Sequence, residues 1–149
     1  MTEIVKNIEK TEEVKSMDKK LGENMPIYVQ IMNSVKEAIA AGELSPAQRI
    51  PSVRELAGDF EVNPNTMQRA LNELEREGLL VSERTAGRFV TKDAELINQL
   101  KKTMAARAAD NFRKEMEALG FTHEEMIDFF RERCTKTIAA ESGVQGKVG

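Results

Sequence analysis

The sequence predicts a mainly α-helical fold: a head of three helices closed by a β-hairpin, then a short region of two more helices. Three observations predict it. Apolar residues recur every three or four positions in five stretches between Met25 and Ala140, the period of a helix with one buried face. Two of these stretches open on helix-start signals, SVRE at Ser52 and NPN at Asn63. After Gly78 the period lapses, and two apolar runs, LLV and RFV, flank the turn-forming SERTAG.

Residues 1–24 carry isolated Ile4, Val5 and Ile8 in a charged run and are expected to be a frayed or disordered extension. The first helix begins at Pro26, shows Ile27, Ile31, Val35 and Ile39 at helical spacing, and stops at Gly42. GELSPAQRIPS reads as a turn-rich connector. The second helix starts in a capping box, with Ser52 as cap and Glu55 reaching back, and buries Val53, Leu56, Ala57 and Phe60. A break of about three residues separates it from the third helix. There Asn63 caps, Pro64 fits the first position, and Met67, Ala70, Leu71 and Leu74 form the buried stripe. Gly78 ends that helix, and Leu79–Val81 and Arg88–Val90 are the expected strands.

Two helices joined by a tight turn, backed by another and followed by a hairpin, make a winged helix-turn-helix. The third helix then occupies the recognition position, and its start is rich in groups that read polar edges. Asn65, Thr66, Gln68, Arg69 and Asn72 all lie off the buried stripe. Asn and Gln side chains match adenine, Arg matches guanine, and Thr suits a base or a phosphate. Asn63 itself is better explained as a cap than as a reader.

Composition narrows the class. A hydrophobic share of 40% permits a core, and no apolar run approaches the roughly 18 residues of a membrane span. The start of the chain has no secretory apolar region, so the expected location is cytoplasmic. One Cys and one His exclude an internal disulfide and Cys-rich metal centres, and no catalytic set or phosphate-cradling glycine loop appears. The expectation is therefore a non-enzyme without metal or cofactor. The net charge is −3, yet residues 45–92 balance seven acids with seven bases, among them Arg49, Arg54, Arg69, Arg76, Arg84 and Arg88. That concentration of guanidinium groups suits phosphate and guanine contacts.

The stretch PIYVQIMNSVKEAIAAGELSPAQRIPSVRELAGDFEVNPNTMQRALNELEREGLLVSERTAGRFVT, Pro26 to Thr91, resembles the DNA-binding head of GntR-type transcriptional repressors. PIYVQI, IPSVRELA, VNPNT with RAL and LEREGLL, and GRFV carry the likeness, and VNPNT and GRFVT look most like the small YtrA-like branch, whose regulators often sit with transporter genes. The 57 residues after Lys92 are too few for the sensor or aminotransferase domains of other branches. The resemblance implies that Ser52 and Arg54 face the phosphate backbone. It implies that Asn65, Thr66, Gln68 and Arg69 contact double-stranded operator DNA, and that Arg84, Gly87 and Arg88 form the wing in the minor groove. Three positions depart from the family pattern: Ala47 and Thr85 where Gly is usual, and Ile50 where Leu is usual. A residue with a Cβ resists positive φ, so Thr85 is expected to stiffen or reshape the wing.

Several residues have local alternatives. Arg54 can pair with Asp59 or Glu61, and Arg69 with Glu73 at i+4. Arg76 reads as a solvated residue, and His123 belongs to a second capping box, Thr122 to Glu125. Cys134 is expected to be buried with Met126, Ile127, Phe130 and Ile138. The tail is read as a dimerisation region over 93–140, with a flexible end at 141–149. Its first helix carries Ile97, Leu100, Met104, Phe112 and Met116 and stops at Gly120; its second, from about Glu124 to Ala140, adds Phe129 and Phe130. That apolar stripe exceeds what one short helix covers, so a homodimer is expected to share it. Methionines at helical spacing are simplest as core filling. Two rivals stay open: a winged helix used as a protein–protein module, and a small-molecule effector switch between the tail helices.

Overall fold

The structure is a computed structural model and describes residues 25–148; the expected charged extension 1–24 and residue 149 lie outside these. Helices α1 (Ile27–Ala40), α2 (Val53–Asp59) and α3 (Pro64–Arg76) are followed by strands β1 (Leu80–Glu83) and β2 (Gly87–Val90). Helices α4 (Ala94–Ala118) and α5 (His123–Val148) complete the order.

The helix ends follow local chemistry. Pro26 precedes α1, and Gly42, at φ 81°, turns the chain away after it. The Ser52 hydroxyl accepts the Glu55 N–H at 3.2 Å and donates to the Glu55 carboxylate, while Asn63 Oδ1 accepts the Asn65 N–H at 2.8 Å. Each such cap is worth about 1 kcal/mol. At the end of α3, Leu79 N–H bonds to Leu74 C=O and Gly78 N–H to Glu75 C=O, with Gly78 at φ 81°. This is the paired Schellman pattern that a left-handed residue makes possible.

The head's core is one cluster. Met67, Ala70, Leu71 and Leu74 on α3 are fully buried against Ile31, Val35, Ala38 and Ile39 of α1 and Leu56 and Ala57 of α2. Burial of a Leu or Met side chain contributes about 1.5–3 kcal/mol. The inner face of α3 is therefore fixed on two helices, and its outer face is displayed at a fixed angle.

The wing is wider than the sequence predicts. β1 and β2 pair antiparallel with Leu80 opposite Val90 and Ser82 opposite Arg88, so the strands take in Ser82, Glu83 and Gly87. Residues 47–50 then run along the other edge of β2. Ala47 N–H bonds to Val90 C=O, Val90 N–H to Gln48 C=O, and Ile50 N–H to Arg88 C=O. The connector thus supplies a third, strand-like edge. Thr85 is not at positive φ; among non-glycine residues of the described chain only Ala47 (φ 68°) and Glu61 (φ 54°) are. The departure that carries backbone strain is Ala47, while Gly87 (φ 112°) supplies the wing's left-handed position.

The described residues divide into two compact units, one ending at Lys102 and the other beginning at Thr103, inside α4. Asp93 Oδ1 caps α4 by accepting the N–H groups of Glu95 and Leu96. Leu96, Ile97 and Leu100 pack against the head's core, so the head extends past Lys92. Ile97 and Leu100, expected to face a second copy, are partly buried against their own chain's core, and Leu96 Cδ2 lies 3.4 Å from where a Cβ on Gly78 would sit.

In the second unit, Gly120 at φ 88° closes α4, with Phe121 N–H on Met116 C=O and Gly120 N–H on Glu117 C=O. Thr122 and Glu125 form a reciprocal capping box, each backbone N–H bonding to the other side chain, so His123 starts α5 as expected. His123 Nε2 also lies 3.0 Å from Glu117 Oε1. Met116 and Met126 are buried, and the Phe112 and Phe130 rings meet at a tilt of 59° with their centroids 5.5 Å apart. Two expectations are corrected. α5 continues past Ala140 to Val148, since no proline interrupts it. Cys134 is exposed, because nothing among the described residues covers that side of α5.

Candidate nucleic-acid interface

The outer face of α3 begins directly after its cap. Asn65 and Arg69 are exposed, Thr66 and Gln68 half-buried, and Asn72 exposed one turn further on. Arg69 does not pair with Glu73. Its guanidinium lies 3.9 Å from the centroid of the Tyr28 ring, a cation–π contact worth about 0.5–1 kcal/mol at an exposed site. Glu73 is instead taken by Arg76 at 3.1 Å.

That pairing belongs to a pattern that resolves the neutral charge of the head. The acids at the C-terminal end of α3, Glu73 and Glu75 within it and Glu77 at its C-cap, each have a cation: Glu73 with Arg76, Glu75 with Arg88 at 2.6 Å, and Glu77 with Lys36 at 3.0 Å. The N-terminal half carries only uncharged hydrogen-bonding groups and Arg69. Free N–H groups at a helix start add a positive potential there. The local field therefore favours a polyanion even though the head as a whole is balanced.

Ser52 is occupied by its capping bonds, whereas Arg54 is exposed and makes no ion pair among the described residues, so the expected alternatives with Asp59 and Glu61 do not form. On the wing, Arg84 is exposed in the turn and Gly87 is exposed at the start of β2. A Cβ at Gly87 would lie 3.0 Å from Arg49 Nε. The glycine thus serves both the left-handed backbone and the seat of a second guanidinium against the wing. Arg49 is exposed and joins Arg84 there.

Arg88 behaves differently. Its side chain is only 17% exposed, with Nε on Glu75 Oε1 and Nη2 3.1 Å from Asn72 Oδ1. The Ser82 hydroxyl donates to the same Glu75 oxygen. Burial pushes the Glu75 carboxyl up, but hydrogen bonds from Ser82 and Arg88 and the Arg88 charge outweigh it, and the group titrates below its ordinary range. Asn72 in turn accepts from Gln68 Nε2 at 2.8 Å. The sequence places Arg49 among the arginines of residues 45–92 and Asn72 off the buried stripe of the third helix, but assigns neither a specific contact, and it gives Glu75 no role. The i+4 spacing of Gln68 and Asn72 was the one available signal.

The structure therefore brings Asn65, Thr66, Gln68 and Arg69 onto one face of α3. It places Arg84 and Gly87 on the wing and turns Arg88 inward between the two. No helix of the described residues is long and apolar enough to cross a membrane.

Comparison with known proteins agrees with this architecture. A family model described as bacterial regulatory proteins, gntR family, matches residues 27–90. The HTH-type transcriptional regulator YhcF of Bacillus subtilis, itself uncharacterised, is 38% identical over 112 residues, covering 75% of this chain and 93% of that protein. The HTH-type transcriptional repressor YtrA of the same organism is 44% identical over 69 residues, 46% of this chain and 53% of YtrA. A GntR family transcriptional regulator from Listeria monocytogenes superposes with a TM-score of 0.68 at 36% identity, over 74% of this chain and 97% of that one. With a winged helix-turn-helix head and relatives matched over more than nine-tenths of their own length, the chain belongs to the gntR family of bacterial regulatory proteins and is a DNA-binding transcriptional regulator.

Proposed function

We propose that this regulator is a repressor that binds an inverted-repeat operator as a homodimer. The observation that carries the reading is the outer face of the N-terminal half of α3: an acid-free, hydrogen-bonding surface on a helix whose inner face is locked into the core. Its N-terminal residues enter the major groove, with Asn65, Thr66, Gln68 and Arg69 nearest the bases. Arg54 lies toward the phosphates at the start of α2, and Arg84 and Arg49 ride on the wing. Repression is supported by the likeness to YtrA, which is named a repressor.

The homodimer is supported by the second unit. Ile127, Phe130 and Ile138 of α5 are each more than half exposed, and with Phe112, Met126 and Cys134 they line an apolar groove of about 670 Å³. Phe129, at 44% exposed, and Leu119, at 72%, extend the apolar surface, and Met104 is half-buried. A second copy laying its own α5 on this face buries both stripes at once, as a two-fold interface requires. A small apolar effector is the competing occupant of the groove.

Selection of bound sequences from a random DNA pool at physiological salt tests the reading. The expected product is one motif repeated in inverted orientation, with half-sites about one helical turn apart. Retention of DNA without any enriched motif would instead favour the protein–protein module.

A further inference from the structure

The wing and the recognition helix are joined by one continuous run of polar contacts. Glu75 Oε1 accepts from Arg88 Nε at 2.6 Å and from the Ser82 hydroxyl, Arg88 Nη2 donates to Asn72 Oδ1 at 3.1 Å, and Gln68 Nε2 donates to the same oxygen at 2.8 Å. The direction of every bond in this run follows from chemistry. A guanidinium has donors only, so the side of the Asn72 amide that meets Arg88 has to be its oxygen. That oxygen has two lone pairs, and Gln68 meets the second, so Gln68 turns its NH₂ end toward Asn72 and its Oε1 away. Arg88 is itself held by a carboxylate that carries its charge at neutral pH.

We propose that Arg88 and Asn72 are positioning residues for Gln68: the wing arginine fixes the Asn72 amide, which fixes which end of Gln68 is donor and which is acceptor toward DNA. The inference rests on the reading that α3 lies in the major groove. It gives the wing a second task, which is to set base discrimination on the recognition helix, and it removes Arg88 from the groove contacts that the sequence implies. A free glutamine amide can rotate and flip, and so tolerates bases that present opposite donor and acceptor orders. A pinned one does not. Asn72 retains its own NH₂ end, exposed on the same face as Asn65 and Gln68.

The test uses the full chain and the operator obtained by selection. Gln68→Ala first identifies the base pair that Gln68 reads, as the position where preference collapses. Asn72→Ala and Arg88→Ala are then assayed on the four variants of that pair. Both are expected to relax discrimination there by about threefold to tenfold, a partial loss of what one good amide contact gives, while preferences elsewhere in the site are retained. Asn72→Asp keeps an oxygen for both donors and is expected to preserve the preference, even if its charge lowers affinity for every sequence. Arg88→Ala is expected to leave the slope of log K against log salt unchanged. A uniform fall over all sequences with a slope shallower by about 1 would show Arg88 to be a phosphate contact and overturn the proposal. Unchanged discrimination in folded Asn72→Ala would overturn it equally. If selection yields no motif at all, the underlying DNA reading fails rather than the relay.

Discussion

Arg88 on the wing and Glu75 on the recognition helix face each other, with Arg88 Nε 2.6 Å from Glu75 Oε1 and both side chains less than a third exposed. They stand 13 residues apart in sequence, and nothing local to either predicts the other. Removing the carboxylate leaves a half-buried guanidinium with one partner fewer, so Glu75→Ala is expected to cost about 2 kcal/mol. The pH dependence has a definite sign. The folded carboxyl titrates below its ordinary value of 4.5, so its contribution is complete above that value and is lost as pH falls through the lower folded one. Denaturant unfolding at neutral and acidic pH checks this. The gap between wild type and variant should narrow in acid, and a gap that stays constant would mean that charge pairing is not its source.

Ala47 sits at φ 68° with its N–H bonded to the Val90 carbonyl. The left-handed conformation costs a residue with a Cβ about 1–2 kcal/mol, whereas glycine adds roughly 0.4–1 kcal/mol of unfolded-state entropy. The strain is the larger effect. Ala47→Gly is therefore expected to raise stability by about 0.5–1 kcal/mol, seen as a melting temperature a few degrees higher. An equal or lower melting temperature would show that the strain is relieved in some other way.

The limits of the head are also testable. Leu96, Ile97 and Leu100 are partly buried against the core from α4, so a chain ending at Lys102 should keep the stability of the head, while one ending at Lys92 should lose about 2–4 kcal/mol, since each side chain contributes only part of the roughly 1.5–3 kcal/mol of full burial. Unfolding midpoints of the two truncated chains decide it. Equal midpoints would place these residues outside the core.

Charging the groove should split the proposed dimer without harming the head. Ile127 and Ile138 are more than half exposed, so Ile127→Glu or Ile138→Glu removes little from a single chain. Sedimentation should find wild type dimeric and these variants monomeric, with operator affinity lower by about 10²–10⁴ because the second half-site contact is no longer intramolecular. Leu100→Glu, by contrast, should destabilise the head itself. A monomeric wild type at micromolar concentration would contradict the dimer.

What the sequence discloses here is what chemistry within four residues decides. The Ser52 and Asn63 caps, the Thr122–Glu125 box, the fully buried stripe on α3 and the glycine stops at Gly78 and Gly120 all depend on near neighbours. Contacts made across the fold were out of reach. Residues 47–50 became a strand edge through bonds to β2, about forty positions away, and Ile97 and Leu100 are partly buried against the head's core. Arg88 has the sequence position of a groove residue, yet Glu75 and Asn72 hold it between the wing and α3. Cys134 shows the converse limit: its apolar stripe is real, yet a stripe says only that something should cover it.

The central claim is that the start of α3 reads bases, and Asn65 tests it most directly because it is exposed and its side chain has no part in the wing relay. The measurement is the affinity of wild type and Asn65→Ala for the selected operator and for a panel of single base-pair substitutions within it. Wild type should discriminate at the position facing Asn65, and the variant should lose about 1–3 kcal/mol on the operator while becoming indifferent at that position alone. A variant that folds normally and matches wild type across the whole panel would contradict the account.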